Sequence, residues 1–375
     1  MTYRYLPAAS LCAAFLSFSG QFCRIINMGN EDAYGLKDED WYVRLLVAEN
    51  PNAPAEVLDV LATDDDKNIR REVVANLSTP AETLTKLAGD EDWRVRRDVA
   101  ENPNAPTEAL KRLAADEDLG IRGAVAKNPN APASALVTLA GDEDWRVRGN
   151  VAGNPNTLAE TLMVLEEDEE WRVRHVVAGN PSAPVEALYR LATDEDSDVR
   201  FAVAGNPSAP TEALMKLATD KLSGVRRAVA ENTNAPYEFL DKLAGDYVWS
   251  VRQSVAENTN APGEALYRLA TDEDSDVRRA VAENTNAPTE ALNKLATDED
   301  KNIRRAVAEN PNVTENVLLR AYRDRSTKVR EAVARNPKIP PEAATSLSLS
   351  KVSQIRQALS ENPAVPEHIR VALSL

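Results

Sequence analysis

The sequence predicts an all-α protein, a solenoid of thirteen tandem 26-residue repeats, each built from two short helices. Three observations carry that prediction. An arginine recurs at 44, 70, 96, 122, 148, 174, 200, 226, 252, 278, 304, 330 and 356, always 26 residues apart and with no insertion or deletion. An asparagine six residues further on keeps the same step from Asn50 to Asn362. Within a repeat the apolar residues recur at helical spacing instead of alternating, as in Val95, Val99 and Ala100 followed by Leu110, Leu113 and Ala114.

The elements of one repeat follow in order from the block at 90–116. Asp90-Glu91-Asp92 supplies carboxylates that cap free amides and oppose the positive end of a helix dipole, so a first helix starts there. It stops at Asn102, because a residue before proline is pushed out of the helical region. Pro106 then suits the first turn of a second helix, where its missing N–H costs nothing. Neither helix is long enough to stand alone in water, so both stripes must be buried against neighbouring repeats. Ala100 and Ala114 are small enough to let those neighbours approach closely.

In such a chain, length counts stacked units and not globular domains. Residues 38–375 form the solenoid, and a polar C-terminal cap is expected from about 340, where Ala344, Ser348, Arg370 and Ser374 dilute the last stripes. Residues 1–37 precede the repeats and contain the one other apolar stretch, 5–26. Three readings of it stand side by side. It is a signal peptide with Arg4 as its positive region, or a helix capping the open end of the first repeat, or sequence ahead of a true start at Met28. Ser10, Ser17, Ser19, Gly20, Gln21 and Arg24 interrupt the stretch and argue against a membrane span.

Cys12 and Cys23 are the only cysteines, so the repeats hold no disulfide framework and no thiolate metal site. A reducing, cytoplasmic location is expected, or export if residues 1–20 act as a signal. The formal net charge of −16 sets a nucleic-acid partner at a disadvantage. That charge is uneven, since residues 320–375 hold ten Lys and Arg against five Asp and Glu.

The motif Val-Arg-x-x-Val-Ala-x-Asn-Pro-x-Ala-Pro-x-Glu-x-Leu-x-x-Leu-Ala-x-Asp, complete at 95–116, resembles the leucine-rich repeat variant family of bacteria. The resemblance covers about residues 38–375. It implies a HEAT-like, right-handed α-solenoid in which α and 3₁₀ helices alternate without strands. Some members carry an iron–sulfur cluster, but two cysteines cannot supply its usual four thiolates, so no cofactor is carried over.

Because the period never slips, each phase of the repeat is a column that reads as architecture or as site. The arginines (Arg96, Arg122 and Arg148 among them) lie inside the apolar stripe and read as a ladder tying each repeat to an Asp or a backbone carbonyl of the next. The asparagines (Asn102, Asn128, Asn154) precede the inter-helix turn and read as satisfying loop backbone. The acidic runs lack the spaced oxygens and the glycine of a calcium loop and read as caps. Glu82 and Lys86, like Glu264 and Arg268, are four apart in the favourable order and read as a self-neutralised helix face. The tryptophans differ: Trp41, Trp93, Trp145, Trp171 and Trp249 share one phase, which seven other repeats fill with Lys, Ser or Thr. With Arg94, Arg146 and Arg172 beside them, they are the candidate partner-binding residues.

His175 and His368, the only histidines, have no neighbouring nucleophile at a recognisable spacing, and no Gly-rich phosphate loop occurs. The sequence therefore points to a monomeric, non-catalytic scaffold holding a protein or peptide. The alternative is nucleic-acid binding through the basic end around Arg320, Arg323, Arg325, Lys328 and Arg330.

Overall fold

The computed structural model describes residues 41–374; the segment 1–37, with its three readings and both cysteines, lies outside the described residues. The described residues fall into two compact units, one ending at Thr161 and one beginning at Leu162. Among them every repeat is a pair of α-helices and no strand occurs. The series runs from Trp41–Glu49 with Ala55–Leu61 to Ser353–Glu361 with Glu367–Ser374.

The repeat at 93–118 shows how the sequence makes each pair. Asp92 caps the helix Trp93–Glu101, its side chain accepting from Arg94 N at 2.8 Å. Asn102 ends that helix in an extended conformation, φ −69° and ψ 122°. Pro106 stands one residue outside the helix Thr107–Leu113, as its cap, instead of in the first turn as the sequence suggested. Its ψ of 152° is extended, yet its carbonyl already accepts from Leu110 N at 3.1 Å, so the missing N–H still costs nothing.

The second helices are α-helical and not the 3₁₀ helices that the family resemblance implied: Ala114 N donates to Leu110 O at 3.0 Å, four residues back. Three-residue bonds are confined to the ends: in the closing turn from Ala115 N to Arg112 O and from Asp116 N to Leu113 O, and in some repeats in the opening turn, as from Ala135 N to Pro132 O.

Val95, Val99, Ala100, Leu110, Leu113 and Ala114 are all buried. Full burial of a leucine such as Leu110 is worth about 1.5–3 kcal/mol, and this burial sustains helices too short to persist alone. Within each unit the first helices of successive repeats lie side by side, while the second helices approach one another less closely. An alanine one position before the last residue of the first helix, Ala100 or Ala204 for instance, is wholly buried at that contact.

The asparagine column joins the stack through its backbone. Asn128 Nδ2 donates to Ala100 O at 2.8 Å and Asn102 O at 3.0 Å, both in the preceding repeat, while its Oδ1 accepts from Asn130 N at 2.8 Å. Ala100 O lies near a helix C-terminus, where carbonyls have no intrahelical partner, so the next repeat's asparagine caps this one. In the same way Asn102 reaches Val74 O at 2.7 Å, and Asn154 reaches Ala126 O at 2.7 Å and Asn128 O at 2.9 Å. In the second unit Asn206 binds Ala178 O at 2.7 Å and Asn180 O at 2.9 Å. Asn206→Ala strands these two acceptors and the Ser208 amide, and is expected to lower stability by roughly 2–3 kcal/mol in urea unfolding. A loss below about 0.5 kcal/mol would show that the column does not bear on the stack.

Candidate functional site

The ladder arginines occupy the fourth position of the first helices, and most of them grip two loops at once. Arg96 Nε donates to Asp116 Oδ2 at 2.7 Å and Nη2 to Oδ1 at 3.2 Å, in the following loop. Its Nη1 donates to Asp90 O at 2.9 Å and Glu91 O at 3.2 Å, in the loop before its own helix. Arg122 repeats the pattern on Asp142 at 2.6 Å and Asp116 O at 3.0 Å, and Arg148 Nη1 holds Asp142 O at 2.9 Å. In the second unit Arg226 takes Asp246 at 2.6 and 2.9 Å and Asp220 O at 2.7 Å. The aspartate lies on the far side of the next helix, as the ladder reading expected, but the carbonyls are those of the loop before the arginine's own helix and not of the next repeat.

The aspartates are equally committed. Asp116 Oδ1 also accepts from Asp118 N at 3.0 Å, which shapes the turn into the next helix. Burial alone would raise the Asp116 carboxyl. The Arg96 hydrogen bond, the Asp118 amide and the charges of Arg96 and Arg122 outweigh it and hold the group below its ordinary value of 3.8. Asp142, Asp220, Asp246 and Asp324 are lowered for the same reasons, each with its own arginine.

A carboxyl depressed on folding stabilises fully above its unfolded value and loses that contribution as pH falls through the folded one. The thermal midpoint, read by circular dichroism, should therefore be flat between about pH 7 and pH 5 and fall below about pH 4. No decline on reaching about pH 2 would contradict the ladder's ionic character.

All five tryptophans open a first helix. Trp41, Trp93 and Trp249 are 56%, 42% and 45% exposed, and Trp145 and Trp171 are half-buried. Arg94 lies over the Trp93 ring at 4.7 Å, Arg146 over Trp145 at 5.8 Å and Arg172 over Trp171 at 4.6 Å. The same arginines pair with the acid one residue before the ring: Arg94 with Asp92 at 3.6 Å, Arg146 with Asp144 at 3.2 Å and Arg172 with Glu170 at 2.6 Å. They thus lie over the rings while Trp93 remains substantially exposed. Trp171 also meets His175 edge-on at 6.3 Å, and Trp41 meets Tyr42 at 5.9 Å. In the first unit Trp41, Trp93 and Trp145 fall in alternate repeats, roughly 16–20 Å apart at the usual helix spacing.

The second helices differ from the sequence reading. Lys86 does not turn to Glu82; it reaches back one repeat to Asp59 at 2.6 Å, and Arg268 reaches Asp241 at 2.9 Å. Lys216 and Lys294 each lie 3.6 Å from the centroid of a tyrosine one repeat back, Tyr189 and Tyr267. In a stack, the neighbouring repeat is as close as the next turn of the same seven-residue helix. Sequence reasoning also passed over Val185, Tyr189, Met215 and Tyr237, exposed on the second helices of the second unit. Their signal was a large side chain at two variable phases, which other repeats fill with small or polar residues such as Ala81 and Thr107 or Asp59 and Asn293.

One further departure is Glu166, at a phase where most repeats carry alanine. Its side chain is 2% exposed and pairs with Arg190. Burial, the largest influence, raises this carboxyl against the pull of Arg190. Its charge is therefore a liability as pH rises above 4.5 toward the folded value. Glu166→Gln should melt above wild type at neutral pH, with the difference shrinking on acidification; a variant that melts lower at neutral pH would show that the Arg190 pair stabilises.

Among the described residues no group of His, Cys, Asp and Glu is arranged to hold a metal ion, and no helix is long and apolar enough to cross a membrane.

The model of the family described as leucine rich repeat variant matches residues 41–66, 93–118, 119–144, 171–196, 198–222, 249–274 and 276–300. A solved structure described as a leucine-rich repeat variant with a novel repetitive structural motif is 30% identical, over 60% of this chain and 88% of its own, with a TM-score of 0.46. Importin beta is 13% identical, over 100% of this chain and 55% of its own, with a TM-score of 0.33. A chain of the Pds5–Scc1 complex is also 13% identical, over 100% and 72%, with a TM-score of 0.30. No curated protein matches the sequence.

Proposed function

We propose that this chain, which belongs to the leucine-rich repeat variant family, is a non-catalytic scaffold that holds a protein or peptide through the tryptophans opening its first helices. The observation that carries the reading is the exposure of Trp93 and Trp249 at a phase that other repeats fill with Ser197, Ser223 or Lys301. The stack does without an indole at those repeats, so the ring is surplus to architecture. Buried tryptophan and arginine dominate the energetics of protein interfaces, and a ring already fixed by its own arginine loses little freedom when a partner closes over it.

Catalysis has no comparable support. His175 Nδ1 lies 2.9 Å from Asp198 O, and His368 is exposed on the last helix, so neither stands as a base beside a nucleophile.

The test is Trp93→Ser with Trp249→Ser in one chain. Partner affinity should fall by about 2 kcal/mol or more in calorimetry, while the urea midpoint moves by no more than about 0.5 kcal/mol. Affinity should also depend weakly on salt; a steep salt dependence would point to phosphate contacts and the nucleic-acid alternative. A collapse of stability in the double variant would assign the rings to the stack and overturn the reading.

A further inference from the structure

The arginine ladder is interrupted at one junction, and the interruption has the form of a binding site. Across ten junctions within the two units the arginine Nε donates to an aspartate Oδ2 twenty residues on, at 2.6 or 2.7 Å. At the twelfth repeat that aspartate is replaced by Ser350. Arg330 is nevertheless set in the ladder position, because its Nη1 makes the bond each ladder arginine makes to the loop before its own helix, here to Asp324 O at 2.5 Å. Its remaining contact is a long one, from Nη2 to Thr327 Oγ1 at 3.3 Å, and Nε has no protein acceptor.

Ser350 does half of the aspartate's work. Its Oγ accepts from Val352 N at 3.2 Å, as Asp116 Oδ1 accepts from Asp118 N, so the turn survives. Nothing replaces the charge. The next residue is also inverted: Glu117, Glu195 and Glu273 stand 3.6–3.8 Å from their arginines at this phase, whereas here it is Lys351. Exposed Arg325 and Lys328 add to the cationic surroundings, and Asp324, the acid in that loop, is spent on Arg304 at 2.7 Å.

We propose that the Arg330 fork is a receptor for an external carboxylate carried by an acidic peptide segment, which takes the place Asp116 holds beside Arg96. The chain itself displays the mode of binding ten times over: two parallel N–H donors on two carboxylate oxygens. The inference stands apart from the tryptophan phase and does not depend on it.

The experiment follows the arginine Nε–Hε resonances of the full chain by NMR, with that of Arg330 assigned by its absence in Arg330→Lys. The probes are acetate, a capped Asp-Glu-Asp tripeptide and inorganic phosphate, at constant ionic strength. Acetate and the tripeptide should both shift the Arg330 signal saturably, the tripeptide at lower concentration, which separates a peptide source from a free small acid. Ser350→Asp restores the internal partner, so it should weaken tripeptide binding about tenfold or more and raise the thermal midpoint. Absence of a carboxylate response, a response to phosphate alone, acetate binding as tightly as the tripeptide, or undiminished binding in Ser350→Asp would each overturn the proposal.

Discussion

At all but the last junctions one guanidinium holds two loops: its Nη1 on the carbonyls before its own helix and its Nε and Nη2 on the carboxylate after the next. Lysine, a point charge with no fork, cannot do this. The geometry also explains why the period never slips. Arg96 and Asp116 are separated by twenty residues that contain the inter-helix turn and the whole second helix. One inserted residue there would carry the carboxylate away from its cation, leave a half-buried arginine without its anion, and remove the acceptor for the amide that starts the next helix. The asparagine column adds a second constraint at the other end of the first helix, where Asn128 closes the carbonyls that the previous repeat leaves open. Between these polar ladders the valine, leucine and alanine stripes supply the burial that helices of seven to nine residues need in order to exist.

Much of this was legible because a repeat tests itself. An arginine found thirteen times inside an apolar stripe demands a structural partner, and the same holds for an asparagine before every turn. Legibility failed where the relevant distance was not local. The Glu82–Lys86 pairing rule belongs to an isolated helix, but in a stack Asp59 of the preceding repeat is the nearer anion. The 3₁₀ character came by resemblance, and the sequence of the second helix, with Ala and Leu at 109, 110, 113 and 114, sustains four-residue bonds. The role of Ser350 was hidden because its meaning lies in what it replaces, and that requires knowing which aspartate each arginine holds.

The candidate site was legible only in outline. A tryptophan at the phase of Ser197 announces a surface position, and exposure of Trp93 and Trp249 agrees with that. The sequence placed Arg94, Arg146 and Arg172 beside the rings as further anchors. In the structure they lie over the indoles and are neutralised by Asp92, Asp144 and Glu170, so the acidic cap of each helix also orients its aromatic residue. Ladder and site thus share the same loop. The first acid of the run serves the stack, and the last acid, at Asp92 and Asp144, caps the helix start and pairs with the arginine over the ring.

The central claim is that cross-repeat pairing of arginine with aspartate couples adjacent repeats energetically and is not a bystander of apolar packing. A double-mutant cycle on Arg226→Met and Asp246→Asn measures it directly, because this pair is buried on both sides at 7% and 6% exposure. A favourable coupling energy of about 1–3 kcal/mol is expected. Additive single losses, with coupling within about 0.3 kcal/mol of zero, would contradict it and leave the stack to its apolar stripes alone.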